Sequence, residues 1–407
     1  MMMEIRTKEL GRAVENCLLI TPKKSTIPVL GLIKVEAAKN ALTLTATNIE
    51  ESYTVSVPVK NGDTFSMLVP AEQFLKVLKN VKNETLELTV EKDEEGNIVN
   101  LLISSGMIFR LNVESDVDEY PLTPFDTFRR STYVKVFNQK VLFEIMKKVL
   151  FSTTKQNVNR AYSGILFAQK KEHLDIVTTD IHRLSIARTG IASTKSDFVL
   201  PADMAKNIMK IFGDVSLTKV ILEKETPEEK LPGKPAQPVR IMVMSDNESY
   251  IARLLMNEFP NYERVVDSDI VDKECYEIDR KVLAGKLKSV IDFHAGCKIV
   301  GGAFDFVDGN LYITAHGNDG AAVETSVEIK PVNINGNAVK IIGLNVRYLH
   351  EAVSNMDNAA VNMIEGGGLK PFYLTDRQPD YRFYHLVMPI RMELVSRKTV
   401  EKMTKAA

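Results

Sequence analysis

The sequence lacks paired cysteines, a long apolar run and an excess of charge of either sign. Its cysteines, Cys17, Cys275 and Cys297, are scattered and form no Cys-x-x-Cys pair. This arrangement excludes a disulfide framework and a zinc ribbon, and it fits a reducing cytoplasm. No stretch of about eighteen apolar residues occurs, and no apolar run follows a basic start, so we expect neither a membrane span nor a signal peptide.

Lysine and arginine number 52 against 53 for aspartate and glutamate, which gives a net charge of −1. A uniformly basic DNA-binding protein is therefore excluded, and affinity for nucleic acid would require positive charge gathered on one surface. The sequence also lacks HExxH, the Walker A string, GxGxxG and GxSxG, the signatures of several classes of enzyme. The histidines other than His182 show no ligand spacing, and we expect no metal and no cofactor.

With 407 residues, the chain is longer than one hydrophobic core usually serves, and it carries a pattern that is written three times. Apolar residues recur at helical spacing from Leu10, Leu142 and Leu283 onward. About thirty residues after each of these starts, an alternating strand ends in a small polar cluster, as in LTLTATN, LDIVTTD and LYITAHGN. A further strand then runs into a second helix, with Pro70 and Pro201 just ahead of two of these helices.

This order of landmarks predicts an α+β fold with three tandem copies of a two-helix, β-rich domain. The predicted domains span residues 1–128, 129–270 and 271–392. Residues 393–407 form a predicted C-terminal extension with a net charge of +2.

The predicted helices gather positive charge. They span residues 7–20, 71–82, 139–151, 202–212, 279–292 and 345–356, and together they carry +7. Because the whole chain carries −1, the remainder carries −8. A solvated face would explain the lysines of any single helix, but four helices share the bias, and lysines can contact phosphates without reading sequence. The lysines concerned are Lys76, Lys79, Lys82, Lys140, Lys147, Lys148, Lys206, Lys210, Lys286 and Lys288.

Three strings, TTDIHRLSIAR at 178–188, FPNYERVV at 259–266 and HLVMPIRM at 385–392, resemble in combination the bacterial DNA sliding clamp, the beta subunit of DNA polymerase III. The resemblance covers residues 4–392. It implies a non-catalytic subunit whose homodimer is a ring of six clamp domains, with helices lining the pore, sheets outside and double-stranded DNA inside. It also implies a cytoplasmic, nucleoid-associated protein, a clamp-loader ATPase that opens the ring, and partners that include the DNA polymerase III catalytic subunit, other polymerases, ligase and mismatch-repair proteins.

The resemblance assigns residues to three sites. A hydrophobic cleft between domains 2 and 3 would bind short peptides of partner proteins, and the extension 393–407 would shade or extend it. The cleft residues would be Tyr162, Thr179, His182, Arg183, Leu184, Pro260, Arg264, Val265, Asn345, Tyr348, Leu386, Val387, Met388, Pro389, Ile390, Arg391 and Met392. Lys24, Gln156 and Arg160 would join the helix lysines in contacting DNA. At the dimer interface, Phe109 and Leu111 would meet Ile291 and Phe293.

Two functions of other classes remain open. Asp180 and His182 are spaced like a metal or acid–base pair, and a metal-dependent nuclease or phosphatase would show hydrolysis that requires a divalent metal. A clamp-like scaffold that binds proteins but no longer encircles DNA would not be retained on circular DNA.

Overall fold

The computed structural model describes residues 3–128, 132–154, 160–226, 236–266, 275–317, 321–332, 340–365, 370–392 and 394. The chain forms two compact units. Unit 1 consists of residues 1–139 and 194–256, and unit 2 of residues 140–193 and 257–407. The predicted second domain, residues 129–270, contributes to both units, so the three domain boundaries remain a prediction.

All six predicted helices are present, and a short additional helix, α3, lies between the first and second pairs. The helices are α1 (Thr7–Ile20), α2 (Ala71–Leu78), α3 (Pro124–Thr127), α4 (Gln139–Val149), α5 (Ala202–Ile211), α6 (Arg280–Phe293) and α7 (Val346–Ser354). Each long helix buries the apolar stripe that predicted it, as Leu10, Val14 and Cys17 do in α1. In α6, Lys286 does not interrupt this packing, because Leu283, Leu287 and Val290 are buried while Lys286 is exposed.

The strands are antiparallel and short. The first ten are β1 (Met3–Arg6), β2 (Leu32–Ala38), β3 (Ala41–Thr47), β4 (Glu51–Pro58), β5 (Phe65–Pro70), β6 (Thr85–Lys92), β7 (Ile98–Ser104), β8 (Ile108–Asn112), β9 (Thr132–Tyr133) and β10 (Lys135–Val136). The next eight are β11 (Gly164–Gln169), β12 (Leu174–Thr179), β13 (Arg183–Thr189), β14 (Ala192–Ser193), β15 (Phe198–Pro201), β16 (Lys219–Lys224), β17 (Pro238–Met244) and β18 (Glu248–Arg253). The last eight are β19 (Cys275–Asp279), β20 (Gly301–Val307), β21 (Asn310–His316), β22 (Ala322–Val332), β23 (Lys340–Asn345), β24 (Ala360–Glu365), β25 (Phe372–Arg377) and β26 (Tyr381–Val387).

Unit 1 contains two sheets. One has the strand order β1-β6-β7-β8, which leaves β8 at an edge, and the other has the order β5-β2-β3-β4-β18-β17-β16-β9. In unit 2, a continuous series of strands runs in the order β11-β12-β13-β26-β25-β24-β19-β22-β21-β20-β23. The pairing of β13 with β26 joins strands that are about two hundred residues apart in sequence, and it brings the motifs at 178–188 and 385–392 side by side.

The pairing of β4 with β18 in unit 1 contains two buried tyrosine–carboxylate contacts. Tyr53 and Tyr250 lie directly opposite each other across the strands. The Tyr53 hydroxyl donates to Glu248, and the Tyr250 hydroxyl donates to Glu51. Arg12 adds a hydrogen bond of 2.8 Å to Glu248. Burial, followed by the neighbouring carboxylate, raises the pKa of both tyrosines, so both phenols are protonated donors.

Candidate functional site

A tight turn between β12 and β13 forms one lip of the candidate site. The Thr179 hydroxyl donates to the carbonyl of Arg183 at 2.7 Å and accepts from the Ile181 amide at 3.1 Å. Oδ1 of Asp180 accepts from the amides of His182 and Arg183 at 3.1 and 3.0 Å. These bonds hold Ile181 at a φ of 79° with its side chain 58% exposed. Asp180 therefore shapes the turn, as expected for a side chain that mimics a backbone hydrogen bond.

The same turn occurs 132 residues earlier, between β3 and β4. The Thr47 hydroxyl donates to the Glu51 carbonyl and accepts from the Ile49 amide, both at 3.2 Å. Asn48 takes the place of Asp180, accepting from the amides of Glu50 and Glu51 at 3.1 and 2.9 Å. Ile49 has a φ of 78°. The repeat found in the sequence thus extends to single hydrogen bonds; the third copy falls on residues 318–320, outside the described residues.

Next to the turn at Ile181 lies a cavity of about 170 Å³ within unit 2. Strands β12, β13 and β26 and the helical turn Tyr262–Arg264 supply five of its lining residues, and other turns and loops of unit 2 supply the rest. Its lining consists of Tyr162, Thr179, Ile181, Arg183, Leu184, Pro260, Asn261, Tyr262, Val265, Pro371, Leu386 and Met388. The surface is mainly apolar, and Val265, Ile181 and Met388 are 42%, 58% and 37% exposed. Exposed apolar side chains around a concavity are the usual basis for binding an apolar anchor.

The structure brings together eight of the predicted cleft residues: Tyr162, Thr179, Arg183, Leu184, Pro260, Val265, Leu386 and Met388. It adds four that were not predicted: Ile181, Asn261, Tyr262 and Pro371. Three of these four lie inside the quoted motifs, so the motifs contained the signal. Pro371 lies in none of them. It directly precedes β25, and the pairing of β25 with β26 brings it beside the cavity.

Arg183 lines the cavity, and its guanidinium already has hydrogen-bond partners within the protein. Its Nε donates to Asp180 Oδ2 at 2.9 Å, its Nη2 to the Phe151 carbonyl at 2.7 Å, and its Nη1 to Glu351. The same group lies 4.3 Å from the centre of the Tyr348 ring, and the side chain is only 8% exposed. We conclude that Arg183 fixes the shape of the wall.

The other predicted cleft residues surround the cavity without lining it. The His182 ring stacks on Tyr348 at 6.4 Å, and the Asn345 side chain caps α7 by accepting from the Arg347 amide at 3.0 Å. Arg264 and Arg391 are exposed, Val387 is fully buried, and Pro389 is half-buried. Ile390 and Met392 approach Gly301 and Gly343.

His385 lies behind the cavity, on the opposite face of β26 from Leu386. Its Nδ1 is 2.8 Å from the Ser185 hydroxyl, which is 2.6 Å from the Ser152 hydroxyl. Its ring is 5.1 Å from that of Phe151. Burial, with a smaller contribution from the positive charge of Arg183, lowers the pKa of His385 to about 3. The imidazole is therefore neutral at physiological pH.

Most of the predicted DNA-contacting residues are exposed. They are Lys24, Lys76, Lys79, Lys82, Lys140, Lys147, Arg160, Lys206, Lys210, Lys286 and Lys288. Lys82 lies beyond the end of α2, and Gln156 lies outside the described residues. Lys206 and Lys288 pair with Asp203 and Asp292 at 2.8 and 2.6 Å, but such exposed pairs are weak and can exchange for a phosphate.

Lys148 departs from this pattern because its side chain is only 13% exposed. Its Nζ lies 2.8 Å from Asp357 Oδ2 and donates to the Asn355 carbonyl, just past the C-terminus of α7, at 2.6 Å. A cation is favoured at that end of a helix. Lys148 therefore ties α4 to α7, and the structure does not present it as a free contact for DNA.

The residues predicted for the dimer interface differ in exposure. Phe293 is 54% exposed at the end of α6, and Phe109 and Ile291 are half-buried. Leu111 is only 6% exposed, because alternation along β8 turns it into the core of unit 1. On that edge strand and its turn, the apolar side chains that face solvent are Ile108, at 70%, and Met107, at 62%.

Comparison with known proteins agrees with this geometry. Family models for the DNA polymerase III beta subunit match residues 1–124, its N-terminal domain, and residues 136–261, its central domain. The beta sliding clamp of Staphylococcus epidermidis is 23% identical over 384 residues, which cover 91% of this chain and 94% of that protein. The beta sliding clamp of Staphylococcus aureus strain Mu50 is 24% identical over 390 residues, with the same coverage.

Solved structures share the fold. The beta subunit of the Streptococcus pyogenes DNA polymerase aligns with a TM-score of 0.80 at 19% identity, over 96% of this chain and all of that one. The beta subunit of DNA polymerase III from Thermotoga maritima gives 0.80 at 21% identity, over 97% of this chain and all of that one.

The repeated two-helix β-rich fold is that of a sliding clamp, a class of non-catalytic processivity factors in DNA replication. The two matched family models together cover more than half of the sequence. The chain belongs to the DNA polymerase III beta subunit family.

Among the described residues, no group of three or more histidine, cysteine, aspartate or glutamate side chains could hold a metal ion. Asp180, which a nuclease or phosphatase would use, has both oxygens engaged in its own turn. Within the described part of the chain, no helix has the length and hydropathy that a membrane crossing requires.

Proposed function

We propose that two copies of this chain close head to tail into a ring that encircles duplex DNA without reading its sequence, and that the cavity beside Ile181 tethers DNA enzymes to that ring. The cavity is the observation that carries the proposal. It gathers apolar side chains from three separate sequence motifs, and its aliphatic, proline and methionine walls suit a short peptide with apolar anchors.

The proposed contact with DNA is electrostatic. Eleven exposed cationic side chains, ten of them lysines, are available on or near the helices. Flexible lysines can neutralise phosphates while leaving the protein free to move along the duplex. The proposed arrangement has the helices lining the pore and the sheets outside. Since an unbroken ring cannot admit circular DNA, a clamp-loader ATPase must open one interface.

The proposed homodimer uses apolar surfaces that the structure exposes. Strand β8 is a sheet edge with unpaired backbone groups, and Ile108 and Met107 beside it are exposed. Phe293 and Ile299, at 54% and 69% exposure, offer apolar surface near the end of α6. A head-to-tail contact between two such surfaces, formed twice, would close the dimer.

The cavity suits short peptides of partner proteins, and the resemblance to sliding clamps implies which partners carry them. A modest apolar cavity with adaptable walls favours binding of many peptides at moderate affinity. We place the DNA polymerase III catalytic subunit first, followed by other polymerases, ligase and mismatch-repair proteins. The cytoplasm, at the nucleoid, is the proposed location. The extension 393–407, of which only Leu394 is described, is proposed to shade or extend the peptide site.

The ring is tested by loading the chain onto a nicked circular plasmid with a clamp loader and isolating the complex by gel filtration. Co-elution with the circle, and loss after one restriction cut, are expected. Retention on linear DNA would indicate adhesion, and no retention on either form would indicate a scaffold that only binds proteins.

The cavity is tested with Met388→Asp, matched by Met256→Asp as a control, since Met256 is 46% exposed and lies outside the cavity lining. Met388→Asp should abolish stimulation of the polymerase while dimer mass, measured by light scattering, stays unchanged. Equal loss of stimulation by both variants, or loss of the dimer in Met388→Asp, would contradict the assignment.

A further inference from the structure

We propose that residues 388–392 form a strap that is seated on two glycines, Gly301 and Gly343, and that this seating positions Met388 in the wall of the cavity. Ile390 and Met392 then act as positioning residues for Met388. The inference rests on the proposed function for its effect on peptide binding, but the seating itself can be tested separately.

The strap is held by backbone hydrogen bonds at two points. The Met388 amide donates to the carbonyl of His182, in the turn at the lip of the cavity, at 2.9 Å. The Ile390 amide donates to the carbonyl of Gly343, in β23, at 2.9 Å. Only Pro389 lies between these two anchored residues, so a shift at Gly343 is passed almost directly to Met388.

The two glycines make room for the strap. A Cβ atom on Gly343 would lie 2.7 Å from Met392 Cγ, 2.8 Å from Met392 Sδ and 2.9 Å from the Ile390 carbonyl oxygen. A Cβ atom on Gly301 would lie 2.9 Å from Ile390 Cδ1. All of these distances are well inside the usual carbon contact of about 3.5 to 4.0 Å. The Met392 side chain can swing away, but the Ile390 oxygen is backbone. An alanine at position 343 therefore requires the strap itself to move.

This geometry explains why Ile390 and Met392 are absent from the cavity lining although their neighbour Met388 is present. Their side chains are directed to β20 and β23, the strands that carry the two glycines. It also places the start of the extension 393–407 immediately after the seated end of the strap.

Seating is tested by limited trypsin digestion followed by intact mass measurement. Arg391 is exposed, but cleavage after it requires the strap to leave its seat. We expect Gly343→Ala to raise the rate of this cut about tenfold, on the scale of an overpacked contact. Gly285→Ala in α6 is the matched control, since a Cβ there would meet nothing within 4 Å, and its rate should not rise. An unchanged rate in Gly343→Ala, with the wild-type circular dichroism spectrum, would overturn the proposal.

The effect on the cavity is tested by surface plasmon resonance with the DNA polymerase III catalytic subunit encoded in the same genome. Gly343→Ala should weaken binding about tenfold relative to wild type and Gly285→Ala. If Gly343→Ala does not fold, Met392→Ala removes the other side of the same contact and should show both effects. Faster cutting with unchanged affinity would overturn the positioning role. Failure of the wild-type chain to bind the polymerase would refute the proposed function and leave the trypsin result to decide the seating.

Discussion

Protonation of His385 should make unit 2 sensitive to acid, because this imidazole is neutral and fully buried. Its pKa falls from an ordinary value of 6.5 to about 3 in the folded chain. Between these values the unfolded chain binds more protons, so stability decreases as the pH falls from 6.5 toward 3. At pH 5, 1.5 pH units below the ordinary value, the loss from this one group is about 2 kcal/mol.

The assay compares urea unfolding of the wild type and of His385→Phe at pH 7 and pH 5. The phenylalanine keeps a ring against Phe151, and Ser185 keeps Ser152 as a partner. Other groups titrate in both proteins, so the relevant quantity is the difference between their pH dependences, expected to be about 2 kcal/mol. His316→Gln, at an exposed histidine, should retain the wild-type dependence. Equal pH dependence in the wild type and His385→Phe would refute the reasoning.

Four further substitutions test other contacts. Lys148→Met should lower the free energy of unfolding in urea by about 1 kcal/mol, since the Asn355 carbonyl loses its donor while the exposed Asp357 carboxylate keeps Tyr381, and retention on circular DNA should not change. Tyr53→Phe should lower it by about 1–3 kcal/mol by removing a donor from the buried Glu248 carboxylate; no measurable loss would contradict that contact. Ile49→Gly and Ile181→Gly should each raise the thermal midpoint, because each relieves about 1 kcal/mol of left-handed strain, but only Ile181→Gly should weaken polymerase binding. Equal binding by these two variants would remove Ile181 from the site.

The helices and the repeat were predictable because both depend on local periodicity. All six helices begin within about one residue of their predicted starts, and the repeated turn at Thr47 and Thr179 keeps its hydrogen bonds. Less predictable was the partition of the chain into compact units. Strand β18 pairs with β4, although nearly two hundred residues separate them in the sequence. A local sequence pattern cannot predict which distant strand will be the partner.

Most of the cavity wall was predictable by resemblance, whereas the use of individual side chains was not. Lys147 and Lys148 are adjacent lysines that the sequence does not distinguish. Successive residues of a helix point in different directions, and in α4 Lys148 faces Asp357 while Lys147 is exposed. Leu111 and Ile108 are both apolar residues of β8, and only the phase of the strand decides which of them is exposed. Such choices depend on packing partners that are remote in sequence.

The two tyrosine–carboxylate contacts between β4 and β18 are related by a local two-fold through the Tyr53 and Tyr250 pair. A slip of two residues along either strand would keep the apolar alternation, but it would separate both buried carboxylates from their tyrosine donors at once. Loss of a tyrosine donor from a buried carboxylate costs about 1–3 kcal/mol, and the slip would incur this cost twice. The two contacts therefore favour one register of β4 against β18 during folding, which the apolar alternation of the strands alone would not select.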